Sequence, residues 1–189
     1  MKFHSIVLVA LASTSLAACA VAPVPPPQAS MENIQAVRAG GFAPMRVGEF
    51  TPGPGAPSQM DKKVTVRAGS QAAPSGSYAK LLGETLEAEL KGAGKLDPNA
   101  ALTVSGVLTQ THVDSAMPDG SAKLEAHFTL KKNGAVAFDK TLAVDSTWKS
   151  GFIGAVAIPD AFNHYNGLFP QLVSKLLADP DFKAAAKAG

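Results

Sequence analysis

The chain has 189 residues, with 17 Lys and Arg against 15 Asp and Glu, four His and a single Cys. So even a balance excludes the concentrated basic face of a nucleic-acid binder and a polybasic membrane patch. One thiol excludes an internal disulfide and a thiolate metal cluster.

Lys2 starts the chain with positive charge, Ile6 to Leu11 form a short apolar core, and small residues lead to Ala17-Ala18-Cys19. That is the layout of an export signal, with an apolar stretch too short to span a bilayer. The run Leu16-Ala17-Ala18-Cys19 resembles the lipobox of bacterial lipoproteins. The resemblance implies that residues 1–18 are a signal peptide and that Cys19 is the lipidation site. It takes a diacylglycerol on sulfur and, after cleavage, an acyl group on its new amino terminus. The alternative is an ordinary secretory signal cut at an A-x-A-like site, with Cys19 incidental. Each buried methylene is worth about 0.8 kcal/mol and stable anchoring takes more than one chain, so acylated Cys19 would make the membrane a permanent partner. Ala20, rather than Asp, follows Cys19. By the same resemblance this implies sorting to the outer membrane of a Gram-negative bacterium, on the periplasm-facing leaflet. Loss of residues 1–18 removes Lys2 and lowers the net charge from +2 to +1.

Residues 19–30 continue as a Pro-rich tether, with Pro23, Pro25, Pro26 and Pro27 fixing φ and giving up their donors. At about 3.1 Å per residue such a tether reaches roughly 30 Å. Residues 31–60 read as irregular, with a short strand possible over Pro44 to Phe50 and a Gly/Pro loop from Thr51 to Ser58.

Residues 61–182 read as the folded domain. Val64 and Val66 share one face of a strand ending near Gly69. Between Ser77 and Gly92 the period turns helical: Tyr78, Leu81, Leu82, Thr85, Leu86, Glu89 and Leu90 form one stripe. Ser75 or Ser77 caps it, and Gly92 and Gly94 mark its end. From Ala101 strict alternation sets Leu102, Val104 and Leu108 on one face, then Leu124, Phe128 and Leu130, then Val136, Phe138, Leu142, Val144 and Trp148. Thr103, Ser105, Thr109, Thr111, His127, Thr129 and Thr141 fall opposite, the pattern of an antiparallel sheet covered on one side. In "KKNGA" a two-residue Asn133-Gly134 loop would pair Leu130 with Ala137. A three-residue loop Lys132-Asn133-Gly134 pairs Leu130 with Val136 and is the predicted turn. Lys140 then falls on the apolar face and must snorkel or sit in an irregularity. A last helix is predicted from Pro159 to Ala178, kinked near Asn166, with "ADPDF" as its stop and residues 183–189 as a frayed tail. Two amphipathic helices over one face of an antiparallel sheet give a two-layer α+β fold.

Catalytic signals are few. Ser77 to Lys80 match the S-x-x-K of penicillin-binding enzymes, but the S-D-N and K-T-G elements are missing, and a helix cap explains Ser77. His112, Asp114, His127 and His164 show no spacing that would converge on a metal, and there is no phosphate loop or nucleophile elbow. No enzyme, cofactor or metal is expected, and no nucleic acid as partner. Gly151 to Pro159 ("GFIGAVAIP") is uncommonly apolar for a connection. Either it tucks into the core, or Phe152, Ile153 and Val156 contact a protein partner or a lipid; their burial decides.

The "GSYAKLLGETLEAEL" helix, the "LTVSGVLTQ" strand, the long hairpin and the final helix are together similar to small envelope lipoproteins. These include the YajG-like lipoproteins, auxiliary lipoproteins of lipid-transport ABC systems and, more distantly, the LPS-assembly lipoprotein. The resemblance covers residues 45–182 and transfers no functional residue except Cys19. It implies a non-catalytic accessory protein, joined to an envelope protein complex through a sheet edge or apolar loop. The alternative is a carrier or sensor sheltering a lipid or cell-wall fragment, which requires an internal apolar cavity.

Overall fold

The computed structural model describes residues 23–54, 56 and 58–187. The expected signal peptide and Cys19 lie outside them. Four strands, β1 (Met45–Pro52), β4 (Leu102–Asp114), β5 (Asp119–Lys132) and β6 (Ala135–Lys149), form one sheet in the order β1-β4-β5-β6. A small hairpin of β2 (Lys63–Val66) and β3 (Gly69–Ala72) stands apart. Helices α1 (Met31–Ala39), α3 (Tyr78–Ala93) and α4 (Gly154–Ala178) and two short helices, α2 (Ser58–Lys62) and α5 (Pro180–Ala186), complete the two-layer α+β domain.

α3 follows its sequence signals. Ser77 Oγ accepts from the Lys80 amide at 3.1 Å, and Gly94, at φ 71, closes the helix by donating to the Leu90 and Lys91 carbonyls. Its stripe of Tyr78, Leu82, Leu86 and Leu90 is fully buried against the sheet and α4. Strands β4, β5 and β6 pair as an antiparallel meander. β1 joins β4 in parallel, from Met45 opposite Leu102 to Pro52 opposite Leu108. A parallel neighbour needs a crossover, which the chain through α3 supplies. Phe50 of β1 fills the space left by two glycines: a Cβ on Gly106 of β4 would stand 2.5 Å from its ring, and one on Gly83 of α3 2.9 Å.

Within the β4–β5–β6 meander, two β-bulges reset the alternation. One, between Leu108 and Gln110, turns Thr111 inward, against its expected face, and His112 outward. The hydroxyls of Thr111 and Tyr165 then meet at 2.6 Å inside the core. The other corrects the expected hairpin. The turn has two residues, Asn133 (φ 50) and Gly134 (φ 86), with Lys132 opposite Ala135 and Lys131 opposite Val136. The register then shifts so that Leu130 faces Phe138 instead of Ala137. A type I′-like turn carries the strand twist better than a three-residue loop, and the bulge settles the conflict of faces that had argued against it. Val136 is left exposed. Lys140 snorkels as expected, its ammonium 2.8 Å from Asp179 and 3.1 Å from Asp181.

Residues 31–60 and 179–187 carry more structure than the sequence suggested. Residues 31–60 carry α1 and β1, and Val37, Phe42, Met45 and Phe50 lie in the core. The helix over 154–178 starts five residues before the predicted Pro159, because a proline early in a helix forfeits only one carbonyl partner. Beyond the stop, Asp179 caps α5, Phe182 and Ala186 are fully buried, and the Ala43 amide donates to the Ala186 carbonyl at 2.8 Å. Residues 183–186 are therefore helical, with Ala186 packed, instead of frayed; the last two residues of the expected tail lie outside the described residues.

Candidate functional site: an apolar loop cluster and a docked N-terminal segment

The connecting directions of the sheet place two loops at one end of the domain. β4 ends there at Asp114, β5 begins at Asp119, and β6 ends at Lys149 before α4 begins at Gly154. The β2–β3 hairpin lies at the same end and supplies the clasp. Its tip residue Arg67 takes the left-handed backbone conformation (φ 52). Its guanidinium donates to the carbonyls of Ser115 (2.6 Å), Gly151 (2.9 Å) and Phe152 (3.2 Å) and to Ser150 Oγ (3.3 Å). Ser150 adds two bonds, from its amide to the Pro118 carbonyl at 3.0 Å and from its hydroxyl to the Ser115 carbonyl at 2.9 Å. Positive φ at a non-glycine costs about 1 kcal/mol, offset by these charge-assisted bonds.

On this base the apolar side chains face outward. Phe152 is 83 % exposed, Ile153 66 %, Val156 66 % and Met117 54 %. Of the two alternatives for this connection, tucking into the core fails for Phe152, Ile153 and Val156. Ala157 is the inward-facing residue of α4's first turns, and Ile158 packs over Gly69, where a Cβ would stand 2.4 Å from its Cγ2. Both Met117 and Arg67 were missed in the sequence. The signal for Met117 was an exposed-type loop, "SAMPDG", carrying an apolar residue between two strands.

The second feature is the Pro-rich segment. Ser30 caps α1, its Oγ accepting from the Asn33 amide at 3.0 Å. Its own amide donates to both Glu89 oxygens, at 3.1 and 3.0 Å. Asn33 Nδ2 donates to the same carboxylate at 2.9 Å and its Oδ1 accepts from Ser174 at 2.6 Å. Glu89, fully buried in α3, thus holds the start of α1 against both long helices. Upstream, Val24 to Gln28 lie along α3 and α4, bordering a cleft of about 320 Å³ with Leu81, Thr85, Asn166, Phe169 and Pro170. Ser30 sits level with Glu89, near the C-terminal end of α3, and Val24 to Gln28 level with its N-terminal half. Followed backwards from Ser30, the chain therefore runs toward the end that carries the apolar loops.

The remaining sequence candidates stay apart. Ser77 and Lys80 are joined by the helix cap alone. His127, on the outer face of the sheet, lies 3.0 Å from Asp139 and 3.1 Å from Thr141 Oγ1. His164 stacks on Trp148 with ring centroids 4.3 Å apart, its Nδ1 3.0 Å from Ser146 Oγ. His112 and Asp114 are exposed on β4. Among the described residues no three His, Cys, Asp or Glu side chains are placed to hold a metal ion, and no helix is long and apolar enough to cross a membrane. Tyr78 and Tyr165 meet edge-on at 5.2 Å, and burial pushes both phenols above the ordinary tyrosine value, so they stay neutral.

No family model and no curated protein matches this chain. Among solved structures, a protein of the family model DUF330 from Xanthomonas campestris is similar at TM-score 0.53 and 13% identity, over 76% of this chain and 85% of that one. A minor lipoprotein from Acinetobacter baumannii gives TM-score 0.42 and 9% identity, over 76% of this chain and 96% of that one. The PelC dodecamer from Paraburkholderia phytofirmans gives 0.44 and 15%, over 79% and 91%. The first likeness is one of fold, and it bears out the two-layer arrangement of sheet and helices.

Proposed function

We propose that this chain is a non-catalytic lipoprotein of the bacterial cell envelope. Acylated Cys19 holds it at the periplasm-facing leaflet of the outer membrane, where it serves as an accessory or scaffold component in envelope assembly or lipid transport. The observation that carries the reading is the spacing between anchor and domain. The sole cysteine ends a lipobox-like run, and ordered, docked chain is already present by Val24. The interior supports an accessory over a carrier. Tyr78, Leu82, Leu86, Phe128, Tyr165 and Phe169 fill the space between helices and sheet, leaving packing of the ordinary dense kind there.

The β6 edge makes a poor docking strand. β6 is an edge strand broken by the bulge at Ala137 and lined with Asp139, Lys140 and Asp145, and the Lys175 ammonium donates to its Ala143 carbonyl at 2.7 Å. Contacts through the apolar loops fit better. A second reading, a carrier for an acyl chain, has one feature in its favour: the cleft between the Pro-rich segment and the helices, walled by Leu81 and Phe169.

Native mass spectrometry of the protein, gently extracted from its own membranes, tests both readings. A mass at Cys19 matching acylation, with a second protein at fixed stoichiometry, is the expected result. A retained lipid beyond the acyl groups would replace the accessory reading with the carrier. An unmodified Cys19 would remove the anchor.

A further inference from the structure

The structure points to a second membrane contact, and we infer that Met117, Phe152, Ile153 and Val156 form a surface that lies in the phospholipid bilayer beside the acyl chains of Cys19. The inference rests on the acylation of Cys19 proposed above. Three observations on different parts of the molecule lead to it.

First, the patch is apolar and built to stay exposed. Four large apolar side chains stand more than half exposed, Met117, Phe152 and Ile153 on two loops and Val156 on the first turn of α4. Those loops are fixed to each other by Arg67 and Ser150, so they do not fold back to bury their tips. A clasp of six bonds under an outward-facing phenylalanine holds a surface rigid for contact, and large apolar patches of this sort mark protein or membrane interaction sites. Second, the patch crowns one end of a two-layer domain, at loop tips and the first turn of a helix, and not a sheet face or groove that would take a peptide. Side chains at loop tips reach furthest into the boundary between headgroups and acyl chains, where an apolar surface is buried by a few ångströms of insertion.

The third observation chooses the occupant. Chain upstream of Ser30 runs along α3 toward its N-terminus, and so toward the end that bears the patch. Cys19 is five residues before Val24, and five extended residues span at most about 17 Å. A freely swinging tether of residues 19–30 would let the domain present any side to the bilayer. With Val24 to Gln28 laid against the helices, an acyl group on Cys19 is held within that reach of Val24, where the described chain is heading toward the patch end. A short anchor leaving the domain in that direction favours the apolar end as the surface turned to the bilayer.

The test uses the full acylated chain. Acylated Cys19 has no free thiol, so a Phe152→Cys variant takes an environment-sensitive thiol label at one position. A Lys132→Cys variant places the same label at the opposite end, on the last residue of β5. Both proteins are reconstituted into vesicles of phosphatidylethanolamine and phosphatidylglycerol carrying nitroxides on their acyl chains. The expected result is quenching several-fold stronger at 152 than at 132, with a blue-shifted emission at 152 only. Equal or absent quenching at both sites, in protein whose mass confirms the acyl groups, overturns the bilayer surface and leaves the anchor standing. A blue shift at 152 in native membranes that lipid nitroxides do not quench means that a protein covers the patch, and it overturns the inference in that direction. A mass showing Cys19 unmodified removes the anchor reading and this inference together.

Discussion

Glu89 is the side chain on which the N-terminal segment depends, and Glu89→Gln tests that dependence with least change of volume. In the native domain the carboxylate is fully buried and accepts from two donors, the Ser30 amide through both oxygens and Asn33 Nδ2 through one. Bonds to a charged acceptor are worth about 1.5–3 kcal/mol against 0.5–1.5 for neutral ones. Two donors therefore lose roughly 2 kcal/mol between them when the charge goes. The new amide also turns an N–H₂ toward the Ser30 N–H, donor against donor, and a buried donor without an acceptor costs about 1–3 kcal/mol more. Working against this is the relief of desolvating a carboxylate, about 1 kcal/mol or more. The expected net loss is about 2–3 kcal/mol.

The loss should be local before it is global. α1 touches the rest of the domain mainly through this network, through Val37, and through the Arg38 guanidinium on the carbonyls of Gly92 and Ala93. Amide hydrogen exchange on α1 is thus the sharper assay. A 2 kcal/mol local loss appears as a roughly 30-fold fall in protection there, with α3 and the meander little changed. Protection within threefold of wild type across α1, together with an unchanged urea midpoint, would refute the reasoning.

Three other outcomes follow from the packing. Gly106→Ala puts a methyl 2.5 Å from the Phe50 ring, already pressed by Gly83 and set edge-on to Phe128, so a loss of about 1–3 kcal/mol is expected in urea unfolding, partly recovered by Phe50→Leu in the same chain. Thr111→Val and Tyr165→Phe each leave a buried hydroxyl partner unpaired at about 1–3 kcal/mol, and a double-mutant cycle should show the pair costing less than the sum of the two. Burial pushes the Asp179 carboxyl up, but the Lys140 ammonium and the Phe182 and Asp181 amides outweigh it and hold the carboxyl below its ordinary value of 3.8. A depressed carboxyl stabilises the fold above its unfolded pKa and loses that contribution as pH falls through the folded value. The stability gap between wild type and Asp179→Asn should therefore be full at about pH 6 and close below about pH 4, as read by thermal unfolding at constant ionic strength.

How much of this was legible in the sequence depended on how local each signal was. α3 was readable end to end because its caps, Ser77 and Gly94, and its apolar stripe lie within a single stretch of chain. The meander was readable for the same reason: its period of two is written in consecutive residues. What failed was parity after a bulge. Thr109, Gln110 and Thr111 are all polar, so nothing in the sequence says that one of them steps out of register and that Thr111 turns in to meet Tyr165. At the hairpin the bulge fell on Ala137, small enough to sit on either face, and the turn was lengthened by one residue in the sequence reading to absorb the mismatch. The parallel place of β1, and the packing of Phe42 against Phe182 at 5.9 Å, join residues far apart in the chain and carry no local mark. Of the candidate site, Phe152, Ile153 and Val156 were visible as an apolar run in the wrong place. Their exposure was not, because that depends on Arg67, about 85 residues away, reaching their backbone.

The Pro-rich segment shows how composition alone misjudges a role. Residues 23–30 form neither strand nor helix, but a segment without regular structure is not thereby free. Prolines lose little conformational entropy when they are laid on a surface, since φ is already fixed, so a stretch suited to a tether is equally suited to a strut. What decides between the two is whether the far end is tied, and here the Ser30 amide is tied to Glu89. The same carboxylate thus governs stability and orientation, and the two consequences separate in one protein. In acylated Glu89→Gln with the label at position 152, the domain stays folded and anchored while the strut reverts to a tether. Quenching by lipid nitroxides should then fall toward the level at position 132. Undiminished quenching in a variant whose α1 has lost protection would mean that the apolar loops find the bilayer without guidance from the docked segment.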